Sequence, residues 1–326
     1  MKSINNIAVF TSGGDAPGMN ACIRAVVRTA VANGCKVYGV LHGYQGMIDD
    51  EFVELDAAKV GNIIQRGGTI IKTARSKEFM TKEGRKKAYE NLKKYNIDGV
   101  VAIGGDGTFT GAAVFMSEYP EIRFVGTPGT IDNDLSGTDY TIGYDTAINT
   151  VINAVDKIRD TADAHDRLFF VEVMGRDSGL IALFAGIASG AEAIVIPETP
   201  TNVDRLISKL ERGWIRKKTS RIIIVSEGDE LGGALVLAEK VKTKFNFDTR
   251  VTILGHIQRG GSPTCNDRVL ATRLGYEAVE ALMRGRHGVM VGQVNNQIVL
   301  TPFYEAVKDD GKMNMQLVKM AEILSL

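Results

Sequence analysis

Two carboxylates one residue apart follow an apolar run in "PGTIDND", residues 128–134. The preceding "RFVGT" (123–127) has the composition of a buried strand, so Asp132 and Asp134 are delivered at a strand's carboxyl end. A carboxylate placed there can accept a proton from a hydroxyl that attacks a phosphoryl group. Asp132 is read as that base, and Asp134 as an Asx-turn residue or a partner of neighbouring groups. A third carboxylate, Asp106, sits in "IGGDGT" (103–108). Magnesium takes one or two carboxylates and fills its octahedron with water and phosphate oxygens, which suits Asp106 as a ligand for Mg2+.

Glycines and arginines extend the same chemistry. In "TSGGDAPG" (11–18) and "IGGDGT" the missing Cβ atoms let backbone amides approach an anion, and a helix N-terminus after each adds donors and dipole. Neither GxxxxGK[ST] nor a GxGxxG opening the first helix occurs, which excludes a P-loop and a dinucleotide fingerprint. Positive charge for a phosphate is expected from Arg75, Arg167, Arg176, Arg250, Arg259 and His256, all read as lying on loops or strand ends of one edge. In "HIQR" the His and Arg bracket a single turn. With only four histidines, no Ser/His/Asp or Cys/His arrangement competes.

The elements that must position these groups alternate short β-branched runs with stretches of helical period, the pattern of βαβ units and a mainly parallel sheet. Strands are expected at 7–11, 36–41, 99–104, 123–127, 168–174, 193–197, 221–227 and 251–256, and helices at 19–32, 82–95, 145–160, 203–216 and 267–284. This is a doubly wound α/β protein, in which ligands bind at the carboxyl ends of the strands. Those ends supply the two glycine loops above together with "TPGTIDND" (127–134), "MGRDSG" (174–179), "SEGDE" (226–230) and "GHIQRGG" (255–261).

The bulk composition narrows the alternatives. A chain of 326 residues exceeds the size at which single cores stop growing, about 250 to 300 residues, and implies two domains. Its 39 basic residues balance 39 acidic ones, so no global field draws it to nucleic acid or an anionic membrane. Three scattered cysteines without a CxxC pair argue against a disulfide framework and a zinc site, and are read as buried or inert thiols. The N-terminus lacks a signal-peptide apolar region and no apolar stretch nears the ~18 residues of a membrane span, so a cytoplasmic location is expected.

"TSGGDAPGMN", "IGGDGT", "PGTIDND", "VEVMGR" and "LGHIQRGGSP" together resemble the ATP-dependent 6-phosphofructokinases of the bacterial type, in that family's order and spacing over essentially the full chain. The resemblance implies the phosphofructokinase fold of two doubly wound α/β domains with mainly parallel sheets: a nucleotide domain at 1–143 and 258–307, and a sugar-phosphate domain at 144–257 and 308–326, with the active site between them. It implies that Asp132 deprotonates the 1-hydroxyl of fructose 6-phosphate for attack on the γ-phosphate of ATP. Thr130 and Arg176 then contact the transferring group, and Arg75 spans the β- and γ-phosphates. Gly14, Ser76, Gly105, Asp106, Gly107 and Thr108 correspond to the ATP and magnesium site. Thr130, Ile131, Met174, Gly175, Arg176, Glu227, His256, Ile257, Gln258 and Arg259 correspond to sugar-phosphate contacts. Arg167 and Arg250 correspond to residues that reach the 6-phosphate from a neighbouring subunit, which implies a homotetramer.

Gly107 and Gly129 bear on the donor, because pyrophosphate-dependent relatives carry Asp and Lys at those positions and crowd out a nucleotide. Arg24, Arg28, Arg159, Glu192 and Lys218 correspond to an effector site for ADP or phosphoenolpyruvate. There the chain departs from the family: Ala57 stands where Arg is common, Asn62 replaces an Asp and Ser220 a His. Loss of one phosphate-contacting Arg removes a charge-assisted hydrogen bond of about 1.5 to 3 kcal/mol, so weakened or altered allosteric control is expected. The alternatives are a pyrophosphate-dependent phosphofructokinase and a non-catalytic sugar-phosphate or nucleotide sensor on the same fold. The complete set of Asp132, Asp106, Arg75 and Arg176 argues against the sensor.

Overall fold

A computed structural model describes residues 4–165, 167–215, 221–244, 248–307 and 313–325. Along the chain these form β1 (Asn6–Thr11), α1 (Met19–Ala32), β2 (Lys36–Val40), α2 (Gly43–Ile48), β3 (Phe52–Leu55), α3 (Lys82–Lys94), β4 (Gly99–Gly104), α4 (Asp106–Glu118), β5 (Arg123–Pro128) and α5 (Tyr144–His165). Then come β6 (Leu168–Val173), α6 (Leu180–Ser189), β7 (Ala193–Val195), α7 (Val203–Ile215), β8 (Arg221–Ser226), α8 (Gly233–Lys244), β9 (Thr249–Ile253), α9 (Cys265–Met283), β10 (Val289–Val294), β11 (Gln297–Pro302) and α10 (Met315–Leu324). Two compact units share them. The first comprises the chain up to Ile131, Leu135–Thr146 and the stretch from Arg259 through β11; the second comprises Asp132–Asp134, Ala147–Gln258 and the C-terminal helix.

The first unit holds a seven-stranded sheet of order β11-β10-β5-β4-β1-β2-β3. Its five inner strands are parallel, and β3 and β11 add antiparallel edges. The chain winds from β1 outward through β2, then returns to β4 on the other side of β1 and winds outward again. Strand order therefore reverses between β1 and β4, and the crevice at their carboxyl ends is where an open α/β sheet binds a ligand. β4, "GVVAIG", is buried at every residue, as a strand covered by helices on both faces must be. One face is sealed by an aromatic cluster that includes Phe10, Tyr44, Phe79, Phe109, Phe115 and Phe124. On the other, α1 and α9 approach so closely that a Cβ on Gly275 would lie 2.7 Å from the Cys22 carbonyl oxygen. Burial there pushes the Cys22 thiol up to about 12, so it is inert; Cys265, by contrast, is exposed.

The second unit holds a four-stranded, wholly parallel sheet of order β7-β8-β6-β9. Its core gathers Leu168, Phe170, Ile223, Val225, Leu206, Leu210, Leu237 and Val241 from strands and helices at the spacings expected of each. Both units are doubly wound, as the alternation of strand and helix predicts.

Four expectations shift by two residues or more, among them the helix expected at 145–160, which runs on to His165. The strand expected at 251–256 runs at 249–253, and Gly255–Arg259 forms a 3₁₀ turn instead. Gly255, at φ 51°, takes the left-handed conformation that ends extended pairing. β7 stops at Val195, two residues early. The helix expected from Asp267 begins at Cys265, because the Thr264 hydroxyl caps it by accepting from the Asp267 N–H.

Candidate active site

At the switch point of the first unit the loops after β1 and β4 touch. The Ser12 N–H donates to the Ile103 carbonyl at 3.0 Å, and a Cβ on Gly104 would meet the Thr108 hydroxyl at 2.2 Å and the Ser12 carbonyl at 2.7 Å. Gly105 caps α4, which makes Asp106 its first helical residue, with its side chain near the amide-rich end. A Cβ on Gly107 would meet nothing within 4 Å, and one on Gly105 would touch only the Thr130 side chain at 3.8 Å. The sequence thus leaves an open, donor-lined surface around Asp106 and Gly107. Thr108 turns inward, its Oγ1 3.5 Å from the Ser12 carbonyl oxygen.

Gly14 lies against an arginine. A Cβ there would lie 2.4 Å from Nη1 of Arg259, whose guanidinium donates to the Asp15 carbonyl at 3.1 Å. Arg259 is buried against the first glycine loop. Arg75 is exposed on the loop that precedes a 3₁₀ turn, and the Ser76 hydroxyl accepts from the Phe79 N–H of that turn at 3.1 Å. Thr130 and Ile131 are buried, and the Thr130 carbonyl accepts from the Thr141 hydroxyl at 2.6 Å. Gly129 answers to packing: its Cβ would fall 2.9 Å from Ile103 and 3.2 Å from Met19. The open space is at Gly107, whereas a side chain at Gly129 would require Ile103 and Met19 to shift.

In the second unit Asp132 is 3% exposed, and its Oδ2 lies 3.5 Å from Nε of Arg176. Arg176 adopts φ 52°, costly for a side chain of its size and held by two neighbours. Its N–H donates to Glu227 Oε1 at 2.9 Å, and a Cβ on Gly228 would lie 1.8 Å from its carbonyl oxygen. Met174 and Gly175 are buried beside it, and the Met174 N–H donates to Gln258 Oε1 at 3.2 Å. Asp132, Met174, Gly175, Arg176, Glu227 and Gln258 are thus brought together, joining the loop 132–134 to the carboxyl ends of β6 and β8. His256 and Ile257 are exposed on the 3₁₀ turn.

Arg167 and Arg250 do not join them. Arg167 precedes β6 and Arg250 is the second residue of β9, so both stand at the amino ends of strands whose other ends carry Met174 and His256. A six-residue strand spans about 17–20 Å, which corrects the expectation of one shared edge. Both arginines pair with Asp248, Arg167 Nε at 2.8 Å, and hold that carboxyl below its usual range. Of the effector residues, Arg28 donates to the Ala57 carbonyl at 3.4 Å in the first unit, and Arg24 is half-buried there. In the second unit Arg159 donates to the Ser189 carbonyl and Glu192 is buried. Lys218 and Ser220 lie outside the described residues. Asn62 takes φ 54°, a conformation asparagine tolerates.

Sequence reasoning passed over Asp267, third residue of α9 and 1% exposed. Its carboxyl accepts from the Gly143 and Thr146 N–H groups, each at 2.8 Å, and from the Thr146 hydroxyl, which locks the loop after Asp134 to α9. The signal was the T-x-x-D capping spacing from Thr264. Burial outweighs these donors and pushes the carboxyl up to about 6, from 3.8 when unfolded. Between those values the folded chain keeps a proton that the unfolded chain has lost. The group therefore favours folding most below pH 3.8, and its contribution falls as pH rises through 6. Asp267→Asn cannot ionise, so the wild-type-minus-variant unfolding free energy should fall by about 2 kcal/mol between pH 4 and 7 in urea titrations. A flat difference would mean that the donors keep the carboxylate charged throughout.

Comparison with known proteins shows the family. The phosphofructokinase family profile matches residues 6–282. The ATP-dependent 6-phosphofructokinase 2 of Bacteroides thetaiotaomicron is 54% identical over 327 aligned residues, with 100% of both chains covered. The ATP-dependent 6-phosphofructokinase 1 of Thermus thermophilus is 55% identical over 323 residues, covering 99% of this chain and 100% of that one. Among solved structures, the T-state phosphofructokinase of Pichia pastoris superposes with a TM-score of 0.88 at 38% identity, over 99% of this chain and 37% of the yeast chain. A pyrophosphate-dependent phosphofructokinase from Marinobacter aquaeolei shares the fold, with a TM-score of 0.87 at 23% identity over 96% of this chain and 86% of its own. A profile that spans most of both units, joined to relatives more than half identical from end to end, places the chain in the phosphofructokinase family.

Proposed function

We propose that the protein transfers the γ-phosphate of ATP to the 1-hydroxyl of fructose 6-phosphate, giving fructose 1,6-bisphosphate in the committed step of glycolysis. The observation that carries this is the buried Asp132 facing Arg176 at 3.5 Å, in a chain more than half identical to proteins named ATP-dependent 6-phosphofructokinase. Asp132 takes the proton of the attacking hydroxyl. Arg176 and Thr130 steady the charge that spreads over the transferring phosphoryl group, and Arg75 holds the β- and γ-phosphates. Gly14, Ser76, Gly105, Gly107 and Thr108 cradle the nucleotide, with Gly107 leaving room for it beyond the β-phosphate. Ile131, Met174, Gly175, Glu227, His256, Ile257, Gln258 and Arg259 bind the sugar phosphate.

Asp106 would hold Mg2+. Its side chain, at the amide-rich start of α4 beside the open space at Gly107, would offer one carboxylate to an ion completed by substrate phosphates and water. When bound, the ion neutralises charge on the β- and γ-phosphates.

Arg167 and Arg250, at the far ends of their strands, would serve the 6-phosphate in a neighbouring subunit of a homotetramer, so a monomer in sedimentation would remove them from the site. Arg24, Arg28, Arg159, Glu192 and Lys218 would form an effector site for ADP or phosphoenolpyruvate, weakened by Ala57, Asn62 and Ser220. No helix among the described residues is long and apolar enough to cross a membrane, and we place the enzyme in the cytoplasm. The test is bisphosphate formation from fructose 6-phosphate and magnesium ATP. Added ADP or phosphoenolpyruvate should shift the sugar-phosphate saturation curve only slightly, and a strong shift by either would remove the weakened-control proposal.

A further inference from the structure

Residues 65–73, between β3 and Arg75, carry none of the groups assigned above, yet they are tied down on two sides within the first unit. Asn20, in the first turn of α1 and 1% exposed, donates from Nδ2 to the carbonyls of Arg66 and Gly67, each at 3.1 Å, while its Oδ1 accepts from the Ile70 N–H at 2.8 Å. The Thr11 hydroxyl donates to the Lys72 carbonyl at 2.7 Å and lies 3.0 Å from the Thr69 hydroxyl. The Thr73 hydroxyl donates to the Gly13 carbonyl at 2.9 Å. On the opposite side Ser262 donates to the Gln65 carbonyl at 2.8 Å, and a Cβ on Gly67 would lie 2.3 Å from the Gly261 carbonyl oxygen. The segment thus sits between the first glycine loop and the loop that follows Arg259. Lys72 is held at φ 58°, a strained conformation for lysine that persists only when its surroundings over-determine it.

One side chain makes three of these hydrogen bonds. A buried amide must satisfy both donor hydrogens and its acceptor, and Asn20 does so entirely on the backbone of 66–70. Its contacts set that backbone's distance from the glycine loop, and the chain then runs through Lys72 and Thr73 to Arg75. Asn20 touches no phosphate-binding group directly. We infer that Asn20 is a positioning residue for the nucleotide donor: it fixes the arc 66–73 against the loop after β1 and thereby places Arg75 for the β- and γ-phosphates. This rests on the ATP reading of the site.

Asn20→Asp tests it, because the variant keeps the size and the acceptor for Ile70 but turns an oxygen towards the two carbonyls. Three quantities are read at a temperature where the protein is folded: kcat and KM for each substrate, the affinity for ATP by titration calorimetry, and the melting temperature. Leu92→Ala, in the fully buried core at α3, supplies a variant destabilised without touching the arc. Asn20→Asp should lower kcat/KM for ATP about thirty- to hundredfold and weaken ATP binding at least tenfold, with KM for fructose 6-phosphate within threefold. Leu92→Ala should lower the melting temperature but leave the kinetic constants and ATP affinity within threefold. Thr73→Val, which removes one donor to Gly13, should show the same pattern at about a tenth of the size and decides the matter if Asn20→Asp does not fold. Kinetics and ATP affinity for Asn20→Asp and Thr73→Val no different from those of Leu92→Ala would overturn the inference. A wild type that binds ATP but forms no bisphosphate would fail the proposed function alone, with calorimetry still judging Asn20.

Discussion

Asp132→Asn lowers kcat on the order of a hundred- to ten-thousandfold while KM for fructose 6-phosphate stays within a few-fold. The amide fills the same volume in a site that is 3% exposed, so packing of the 132–134 loop survives. What disappears is a basic oxygen able to take a proton as the hydroxyl attacks. A positioned base contributes about 10²- to 10⁴-fold, and each tenfold is about 1.36 kcal/mol of barrier. The loss belongs to the transition state, so kcat carries it and KM does not. Preserved turnover with a collapsed sugar-phosphate affinity would make Asp132 a binding group.

Arg176→Ala is expected to lower kcat about a hundred- to thousandfold, the usual cost of removing one preorganised donor from a developing charge. The preorganisation is visible in the backbone: Arg176 sits at φ 52°, its N–H held by Glu227, with Gly228 leaving space for its carbonyl. Its side chain remains 51% exposed, so it is placed by the loop and available to a ligand. Arg176→Lys restores charge without the planar fork and should recover only part of the loss. Because Asp132 and Arg176 lie 3.5 Å apart, the double variant should fall by less than the product of the two single effects. Full activity in Arg176→Ala would remove the residue from the reaction.

Much of this arrangement was legible before any coordinates. Continuous apolar runs such as "GVVAIG" and "RIIIVS" announce strands buried on both faces, and the charged or glycine-rich residues after them mark the binding edge. Asp132 and Arg176 stand where that rule points, in the turns beyond strands, while the role of Glu227 came only from the family resemblance. Arg167 and Arg250 fall outside the rule, since each precedes its expected strand and so stands at the amino end, away from that edge. Gly129 misleads, since an absent Cβ reads identically whether a ligand or Ile103 occupies the space. Thr264-x-x-Asp267 marks a helix start, but the buried clamps that Asn20 and Asp267 form were out of reach because their partners lie 46 to 124 residues away in the chain. Buried polar clamps of this kind leave no local periodicity.

The most direct test of the central claim is fructose 1,6-bisphosphate formation by the purified protein with magnesium and fructose 6-phosphate, supplied with ATP in one reaction and pyrophosphate in another. Open space at Gly107 and end-to-end similarity to ATP-dependent relatives predict turnover with ATP and none with pyrophosphate. Turnover with pyrophosphate alone, or with neither donor while both ligands still bind, would contradict it.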